Sequence, residues 1–200
     1  MSLRVVLLDS GGANLGSVQA ALSRLGVEAP VTSCWNSIRD ATHVVLPGVG
    51  AARVCMAKLR ENGLDRLIPR LRQPIIGICV GMQLLFERSE ESDTECLGLL
   101  GGEVRLLPSS PGIRVPHMGW NRLDAAPGTA HPLMDGLDRA AVYFVHSFAA
   151  PPGSDTIAAT THGAPFSAMV AKGPVMGAQF HPERSSAAGA RLLRNFLALS

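Results

Sequence analysis

The sequence predicts an α/β sandwich with a mostly parallel sheet and additional antiparallel strands in the C-terminal half. Apolar strand-like runs alternate with helical stripes through the first half of the chain, beginning with strand 3–8 and helix 15–25. After Glu95, short strands follow one another between prolines and glycines, which favours antiparallel pairing. An amphipathic helix over residues 185–199 closes the chain.

Each element is predicted from its periodicity. Strands are short runs rich in β-branched residues, and helices repeat apolar residues every three or four positions. The predicted strands cover residues 3–8, 28–32, 43–46, 74–78, 103–107, 113–118, 120–124, 141–148, 156–161, 167–171 and 175–180. The predicted helices cover residues 15–25, 51–59, 64–71, 81–88 and 185–199. The glycine-rich loop over residues 9–14 does not fit the GxGxxG dinucleotide pattern, so we interpret it as a turn.

Length and composition exclude several classes of protein. The 200 residues suit one domain spanning 1–200, and a net charge of +2 gives no argument for nucleic acid. We expect no signal peptide and no membrane segment, because the apolar stretches are too short. We expect a reducing, cytoplasmic location, because the cysteines form neither a zinc-like spacing nor a disulfide framework. These four cysteines are Cys34, Cys55, Cys79 and Cys96.

The most informative motif is Gly-x-Cys-x-Gly around Cys79, between a predicted buried strand and a predicted helix. This is the nucleophile-elbow pattern with cysteine in place of serine, and Gly77 and Gly81 allow the sharp turn. The helix N-terminus favours a thiolate there. A lone cysteine is more often buried for packing, but the flanking glycines and the strand-to-helix context favour a nucleophile.

A base and an acid are found far downstream, in His181-Pro182-Glu183. Side chains two apart in extended backbone face the same way, so we expect His181 and Glu183 to point into one site. A carboxylate orients an imidazole and stabilises the imidazolium. Cysteine, histidine and acid at strand ends together predict nucleophilic acyl transfer.

These motifs resemble a known family. GICVGMQLLFE and GAQFHPERS are similar to class I (triad) glutamine amidotransferases, and the resemblance covers essentially the whole chain. NLGSV near the start, PGVG at 47–50, PHMGWN at 116–121 and YFVHS at 143–147 resemble the glutaminase subunits of imidazole glycerol phosphate synthase. The family implies a three-layer sandwich, and no metal or cofactor.

The resemblance also implies residue roles. Cys79 would attack the glutamine amide and form a γ-glutamyl thioester, His181 would transfer protons, and Glu183 would orient His181. The oxyanion would be held by the N–H of Val80 and a second N–H from the Val49-Gly50 part of the loop. In the family this loop can be flipped away at rest.

Substrate and partner residues follow from the same resemblance. Glutamine would be bound by Gly50, Gln83, Glu91 and the backbone around His146 and Ser147, although Glu91 lies in an acidic run that also suits a solvated loop. Ammonia would pass to a cyclase subunit with a (β/α)₈ barrel, which this chain is too short to contain. The interface residues implied are Asn14, Ser17, Tyr143 and Arg184.

Three alternatives stay open at this point. The chain could serve another synthase, for anthranilate, aminodeoxychorismate, GMP or pyridoxal phosphate; it could be a partner-independent γ-glutamyl hydrolase; or it could be a decayed, non-catalytic subunit. Two departures from common family patterns, in the 9–14 loop and at Arg184 in place of lysine, concern partner contact rather than the triad.

Overall fold

The computed structural model describes residues 3–11 and 14–199, so Gly12 and Ala13 of the predicted glycine-rich loop lie outside the described residues, as do positions 1, 2 and 200. The strands, in chain order, are β1 (Val5–Leu8), β2 (Val31–Thr32), β3 (His43–Gly48), β4 (Ile75–Cys79), β5 (Arg88–Ser89), β6 (Thr94–Glu95), β7 (Glu103–Leu106), β8 (His117–Arg122), β9 (Asp124–Ala125), β10 (Ala141–His146), β11 (Phe148–Ala149), β12 (Thr156–His162), β13 (Ala164–Lys172) and β14 (Val175–Ala178).

Helices lie between these strands. In chain order they are α1 (Leu15–Ser23), α2 (Trp35–Asp40), α3 (Ala52–Glu61), α4 (Leu64–Leu67), α5 (Val80–Gln83) and α6 (Ser186–Leu197). Short 3₁₀ turns cover Ile68–Arg70, Pro132–Met134 and Pro182–Arg184.

The central sheet has the strand order β2-β1-β3-β4-β14-β13-β12-β9. Strands β2, β1, β3, β4 and β14 pair in parallel, and β14, β13, β12 and β9 pair antiparallel. Every residue of β1, β3 and β4 is buried, which explains their continuous apolar sequences. The α/β class with a mostly parallel half and an antiparallel C-terminal half is therefore confirmed.

Two smaller sheets, β10-β8 and β11-β7-β5-β6, complete the fold. The separate strands predicted over 113–118 and 120–124 were wrong. A single strand, β8, pairs continuously with β10 from His117 to Arg122, and Gly119 does not interrupt it. Pro116 lacks the N–H that a ladder position requires, so the strand begins after it.

The helix predicted over 81–88 is also wrong, since α5 ends at Gln83. The following carbonyls do not accept helical bonds from residues four positions on. They accept hydrogen bonds from the segment 97–100 instead, with Leu97 N–H donating to Leu84 O and Leu99 N–H to Leu85 O. The apolar spacing that suggested a helix reflects burial of these side chains in an irregular segment.

Two further differences are smaller. Helix α2 was not predicted, because only Ile38 of its six residues is buried and the periodic signal is weak. The strand predicted over 28–32 is limited to the two residues of β2, at the edge of the sheet.

The joint between β4 and α5 requires three glycines. A Cβ atom on Gly81 would lie 1.9 Å from the carbonyl oxygen of Leu46, and one on Gly77 would lie 2.5 Å from the carbonyl oxygen of Gly81. A Cβ on Gly48 would lie 2.5 Å from the Gly81 nitrogen. Because these neighbours are backbone atoms, they cannot rotate away, and any larger residue displaces the joint.

Two buried histidines connect β8 and β10. His146 Nδ1 lies 2.9 Å from the Phe148 carbonyl oxygen, which can only accept, so Nδ1 carries the proton. His146 Nε2 then accepts from His117 Nδ1 at 3.2 Å, and the His117 ring stacks on His162 at 4.1 Å. Burial, with the neighbouring histidines, lowers the pKa of His117 to about 4 and that of His146 to about 3.

We expect Gly81→Ala to destabilise the fold by about 3 kcal/mol or more, because its Cβ would overlap the Leu46 carbonyl. Urea denaturation measures this loss. Gly101→Ala is the control, since a Cβ there would meet nothing within 4 Å, and its effect should stay within about 0.5 kcal/mol. Equal stability of the two variants would contradict the close approach.

We expect the free energy of unfolding to fall as the pH drops from about 6.5 to about 4. Unfolded histidines bind protons near pH 6.5, whereas folded His117 and His146 stay neutral until about pH 4 and 3, so acid favours the unfolded chain. His146→Asn keeps an N–H near the Nδ1 position but removes one titrating group. Urea denaturation at several pH values should give this variant a shallower acid slope; an unchanged slope would refute the assignment.

Candidate active site

The Cys79 thiol lies at the carboxyl end of β4 and lines a cleft of about 370 Å³. Its backbone has φ 54° and ψ −113°, outside the regions that non-glycine residues commonly occupy. The residue is only 4% exposed, and its Sγ lies 3.9 Å from the carbonyl oxygen of Val145 and 3.8 Å from Nε2 of Gln179. The strained joint therefore brings the sulfur to the cleft at the sheet edge.

His181 approaches the thiol from the segment that follows β14. Its backbone N–H donates to the Tyr143 carbonyl at 3.0 Å, which fixes the segment against β10. Its Nδ1 lies 2.8 Å from Oε1 of Glu183. Burial disfavours the imidazolium, but hydrogen bonds and charge interactions with Cys79 and Glu183 outweigh it and raise the pKa of His181 to about 10. The two partners therefore stabilise the imidazolium form of His181.

The Glu183 side chain is buried, and its Oε1 accepts two hydrogen bonds. One comes from His181 Nδ1 and the other from Asn14 Nδ2, at 2.6 Å. Burial raises the carboxyl pKa, but the contacts with His181 and Asn14 outweigh it, so that the pKa lies below its ordinary value. The second oxygen, Oε2, has no hydrogen-bond partner among the described residues. The carboxylate is thus ionised and directed toward the histidine through one oxygen.

The expectation that His181 and Glu183 share an extended strand was wrong. Strand β14 ends at Ala178, and Glu183 lies on the 3₁₀ turn Pro182–Arg184. The two side chains still meet, because the turn folds the carboxylate back toward the imidazole of its neighbour two residues earlier. The contact follows from the proline-initiated turn rather than from strand alternation.

The loop after β3 forms another wall of the cleft. Val49 and Gly50 line it, and Gly50 has φ +87°, a conformation that favours glycine. The Val49 carbonyl accepts a hydrogen bond from the Cys55 thiol at 3.6 Å. Val80 is the first residue of α5, where a backbone N–H has no partner within the helix. The structure thus brings both predicted oxyanion segments to the same cleft as Cys79.

The residues predicted to bind glutamine also reach the cleft: Gly50, Gln83, Glu91, His146 and Ser147. Each of three side chains has a specific contact. Gln83 Nε2 donates to the Phe148 carbonyl at 2.8 Å. Glu91 Oε2 accepts from the Ala52 N–H at 2.7 Å, at the start of α3. The His146 ring is turned toward His117, so only the backbone at this position suits a substrate contact.

The predicted interface residues divide into two groups. Asn14 and Arg184 line the cleft, and the Arg184 guanidinium lies 5.2 Å from the centre of the Tyr143 ring. Ser17 is exposed on α1 and is not among the cleft-lining residues. Trp120 packs edge-on against Tyr143.

Sequence reasoning missed two contacts and one surface. It assigned Asn14 to the interface alone and did not single out Gln179, although a buried glutamine inside the apolar run VMGAQF was a visible signal. On β8, Met118 and Trp120 are 63% and 55% exposed. Because these two residues lie two positions apart in the PHMGWN motif, they share one face of the strand, and that face is exposed.

Neither of the stretches 3–11 and 14–199 contains a helix with the length and hydropathy that a membrane crossing requires. Within the same stretches, no group of histidine, cysteine, aspartate and glutamate side chains is arranged to hold a metal ion.

Comparison with known proteins connects this site to a family. The model of the family Glutamine amidotransferase class-I matches residues 6–199. The imidazole glycerol phosphate synthase subunit HisH of Xanthomonas campestris is 56% identical over 197 residues, covering 98% of each chain. The HisH proteins of Xanthomonas oryzae and Xylella fastidiosa are 57% and 55% identical, over 98% and 96% of each chain.

Solved structures agree at the level of the fold. A crystal structure of a glutamine amidotransferase matches with a TM-score of 0.74 at 21% identity, covering 97% of both chains. The structure of PurLQS from Thermotoga maritima matches with a TM-score of 0.67 at 21% identity, covering 98% of both chains. With the family model and the HisH relatives spanning nearly the whole sequence, the chain belongs to the class I glutamine amidotransferase family.

Proposed function

We propose that this chain is the glutaminase subunit of an imidazole glycerol phosphate synthase, acting in histidine biosynthesis as a single domain in the cytoplasm. The observation that carries the proposal is that Cys79 and His181 line one cleft, while the buried Glu183 contacts Nδ1 of His181 at 2.8 Å from behind. The identity of about 56% to HisH proteins over 98% of the chain supports the assignment to this subgroup.

The proposed reaction proceeds in two acyl-transfer steps. Sγ of Cys79 attacks the side-chain amide carbon of glutamine, and His181 delivers its proton to the departing nitrogen as the C–N bond breaks. Ammonia leaves and a γ-glutamyl thioester remains. Water, deprotonated by His181, then attacks the thioester, releases glutamate and restores the thiolate. Glu183 keeps Nδ1 of His181 protonated and its Nε2 directed to the reacting atoms.

The oxyanion formed in each step needs two backbone donors. We assign one to the Val80 N–H and the other to the Val49-Gly50 segment, both of which line the cleft. Removing one such donor typically lowers the rate by about 10²–10³. A rotation of a peptide in the glycine-containing loop is therefore sufficient to switch hydrolysis on or off.

Glutamine would enter the cleft from its open side. A volume of about 370 Å³ suits a small substrate, and Gln83, Glu91 and the backbone of His146 and Ser147 offer polar groups for its two ends. Glu91 would hold the α-amino group with the carboxylate oxygen that is not bonded to Ala52.

The ammonia produced requires an acceptor. We propose that it passes to a cyclase subunit with a (β/α)₈ barrel, forming a heterodimer. The surface beside the cleft supports this, because Met118 and Trp120 are largely exposed, and Trp120 packs against Tyr143, whose ring also lies beside Arg184. Large exposed apolar side chains grouped around an aromatic and an arginine are typical of protein interfaces. Asn14 and Ser17 complete the proposed surface.

We expect Cys79→Ala to lower glutamine hydrolysis by more than about 10⁴-fold, with His181→Ala comparably severe, since nucleophile and base act together. Glu183→Gln should cause a roughly ten- to hundredfold smaller loss, because orientation of the base contributes less. Glutamate release in the activated complex measures these losses. Cys34→Ala, which replaces an exposed cysteine, is the control. Retained turnover in Cys79→Ala would exclude the mechanism.

The assignment of the partner is tested by measuring glutamate release for the chain alone, and again with a histidine-pathway cyclase subunit and a ligand of the cyclase site. We expect almost no glutamate release from the chain alone and strongly stimulated release in the complex. Full activity alone would indicate a partner-independent hydrolase. No glutamate release under either condition would exclude this partner. Arg184→Glu should reduce the stimulation without loss of folding, whereas Arg66→Glu, on the exposed side of α4, should leave it unchanged.

A further inference from the structure

Gln179 is buried next to the nucleophile and has no role in the proposed mechanism so far. It follows β14 directly, is 0% exposed, and its backbone N–H donates to the Ala168 carbonyl at 2.9 Å. Its side chain lies between Gln83 and Cys79. A buried amide costs free energy unless both its oxygen and its nitrogen have hydrogen-bond partners, so its contacts require an explanation.

The orientation of the Gln179 amide is fixed by a chain of hydrogen bonds. The Phe148 carbonyl can only accept, so Gln83 must present its Nε2 to it, at 2.8 Å. The same Nε2 donates its second hydrogen to Oε1 of Gln179 at 3.0 Å. Gln179 is therefore obliged to direct its Nε2, a donor, toward Sγ of Cys79, at 3.8 Å.

The donor at Gln179 distinguishes between the two forms of the sulfur. A neutral thiol can donate to the Val145 carbonyl, 3.9 Å away, and gains little from a second donor beside it. A thiolate only accepts, and accepts best from N–H groups. A neutral amide donor thus stabilises the thiolate without adding a charge that would compete with His181.

We propose that Gln179 is a positioning residue that stabilises the Cys79 thiolate and fixes the direction of its attack. The expected change in kcat rests on the proposed glutaminase activity, whereas the expected change in the reactivity of the thiol does not. The amide also faces the sulfur when the thioester is hydrolysed, where it stabilises the thiolate as the leaving group. Gln83 then has a second task besides substrate binding, since it holds the Gln179 amide in the required orientation.

The test measures alkylation of Cys79 by iodoacetamide as a function of pH, with each cysteine-containing peptide followed by mass spectrometry. Gln179→Glu keeps the oxygen that accepts from Gln83 and replaces the donor, whereas Gln179→Met removes both polar groups at similar volume. The exposed Cys34, alkylated in the same sample, is the internal control. The other titratable groups around Cys79 are unaltered in both variants: Cys55, Glu91, His146, His181 and Arg184, with Glu183 behind His181. Gln179→Glu adds a carboxylate beside the sulfur, so Gln179→Met isolates the loss of the donor.

We expect alkylation of Cys79 at neutral pH to slow by about tenfold in both variants, with the pH profile displaced to higher pH and Cys34 unchanged. In the activated complex, kcat for glutamine should fall by about ten- to hundredfold while KM changes less than about twofold. An unchanged alkylation profile in either folded variant would overturn the proposal, as would an effect on KM alone. Thermal unfolding confirms that a variant is folded; if Gln179→Glu does not fold, Gln179→Met decides.

Failure of this inference is distinguishable from failure of the proposed function. Alkylation requires only the thiol, so a displaced profile supports the role of Gln179 even if the wild-type complex released no glutamate. Conversely, if the wild-type complex releases glutamate but the pH profile of Cys79 alkylation is unchanged in the variants, the proposed function stands and the role of Gln179 is excluded.

Discussion

The site depends on the close backbone approach between the end of β3 and the joint of β4 with α5. Gly48, Gly77 and Gly81 leave no room for a Cβ atom, and Leu46 contacts Gly81 directly through its carbonyl. Cys79, the proposed nucleophile, is the last residue of β4, and the loop assigned to the oxyanion follows β3, so this contact sets their relative position. Since parallel neighbours end at the same sheet edge, the two segments meet in one cleft. The contact that packs the joint therefore also positions the two segments of the site.

The polar groups around the sulfur form two chains of opposite character. One runs from Asn14 through Glu183 to His181 and carries charge: its contacts raise the pKa of the histidine and lower that of the carboxyl. The other runs through Gln83 and Gln179 and is neutral. A low-dielectric interior makes both strong, because little water competes for the donors. In the proposed mechanism the charged chain moves protons, whereas the neutral chain stabilises the thiolate and fixes its direction.

The centre of the parallel half could be predicted from sequence because β1, β3 and β4 lie in continuous apolar runs. The elbow at Cys79 was predictable for a similar reason, since its signal is local. The predictions that were wrong or missing have a common cause, since they depend on contacts between residues far apart in the sequence. Carbonyls after Gln83 bond to residues 97–100 instead of continuing α5. Likewise, Asn14 reaches Glu183 across 169 positions, a contact that no local spacing encodes.

The opening loop has contacts to both halves of the site. Asn14, which the family resemblance places at the partner surface, donates to the carboxylate of Glu183, and the buried hydroxyl of Ser10 donates to the carbonyl of Pro47, at the start of PGVG. A displacement of this loop would therefore affect two parts of the site together: the carboxylate proposed to orient the base, and the segment assigned to the oxyanion. Both contacts are single hydrogen bonds, each contributing about 1 kcal/mol or a few times that where a charge is involved. Such contacts are strong enough to bias a peptide orientation and weak enough for a docked partner to reset.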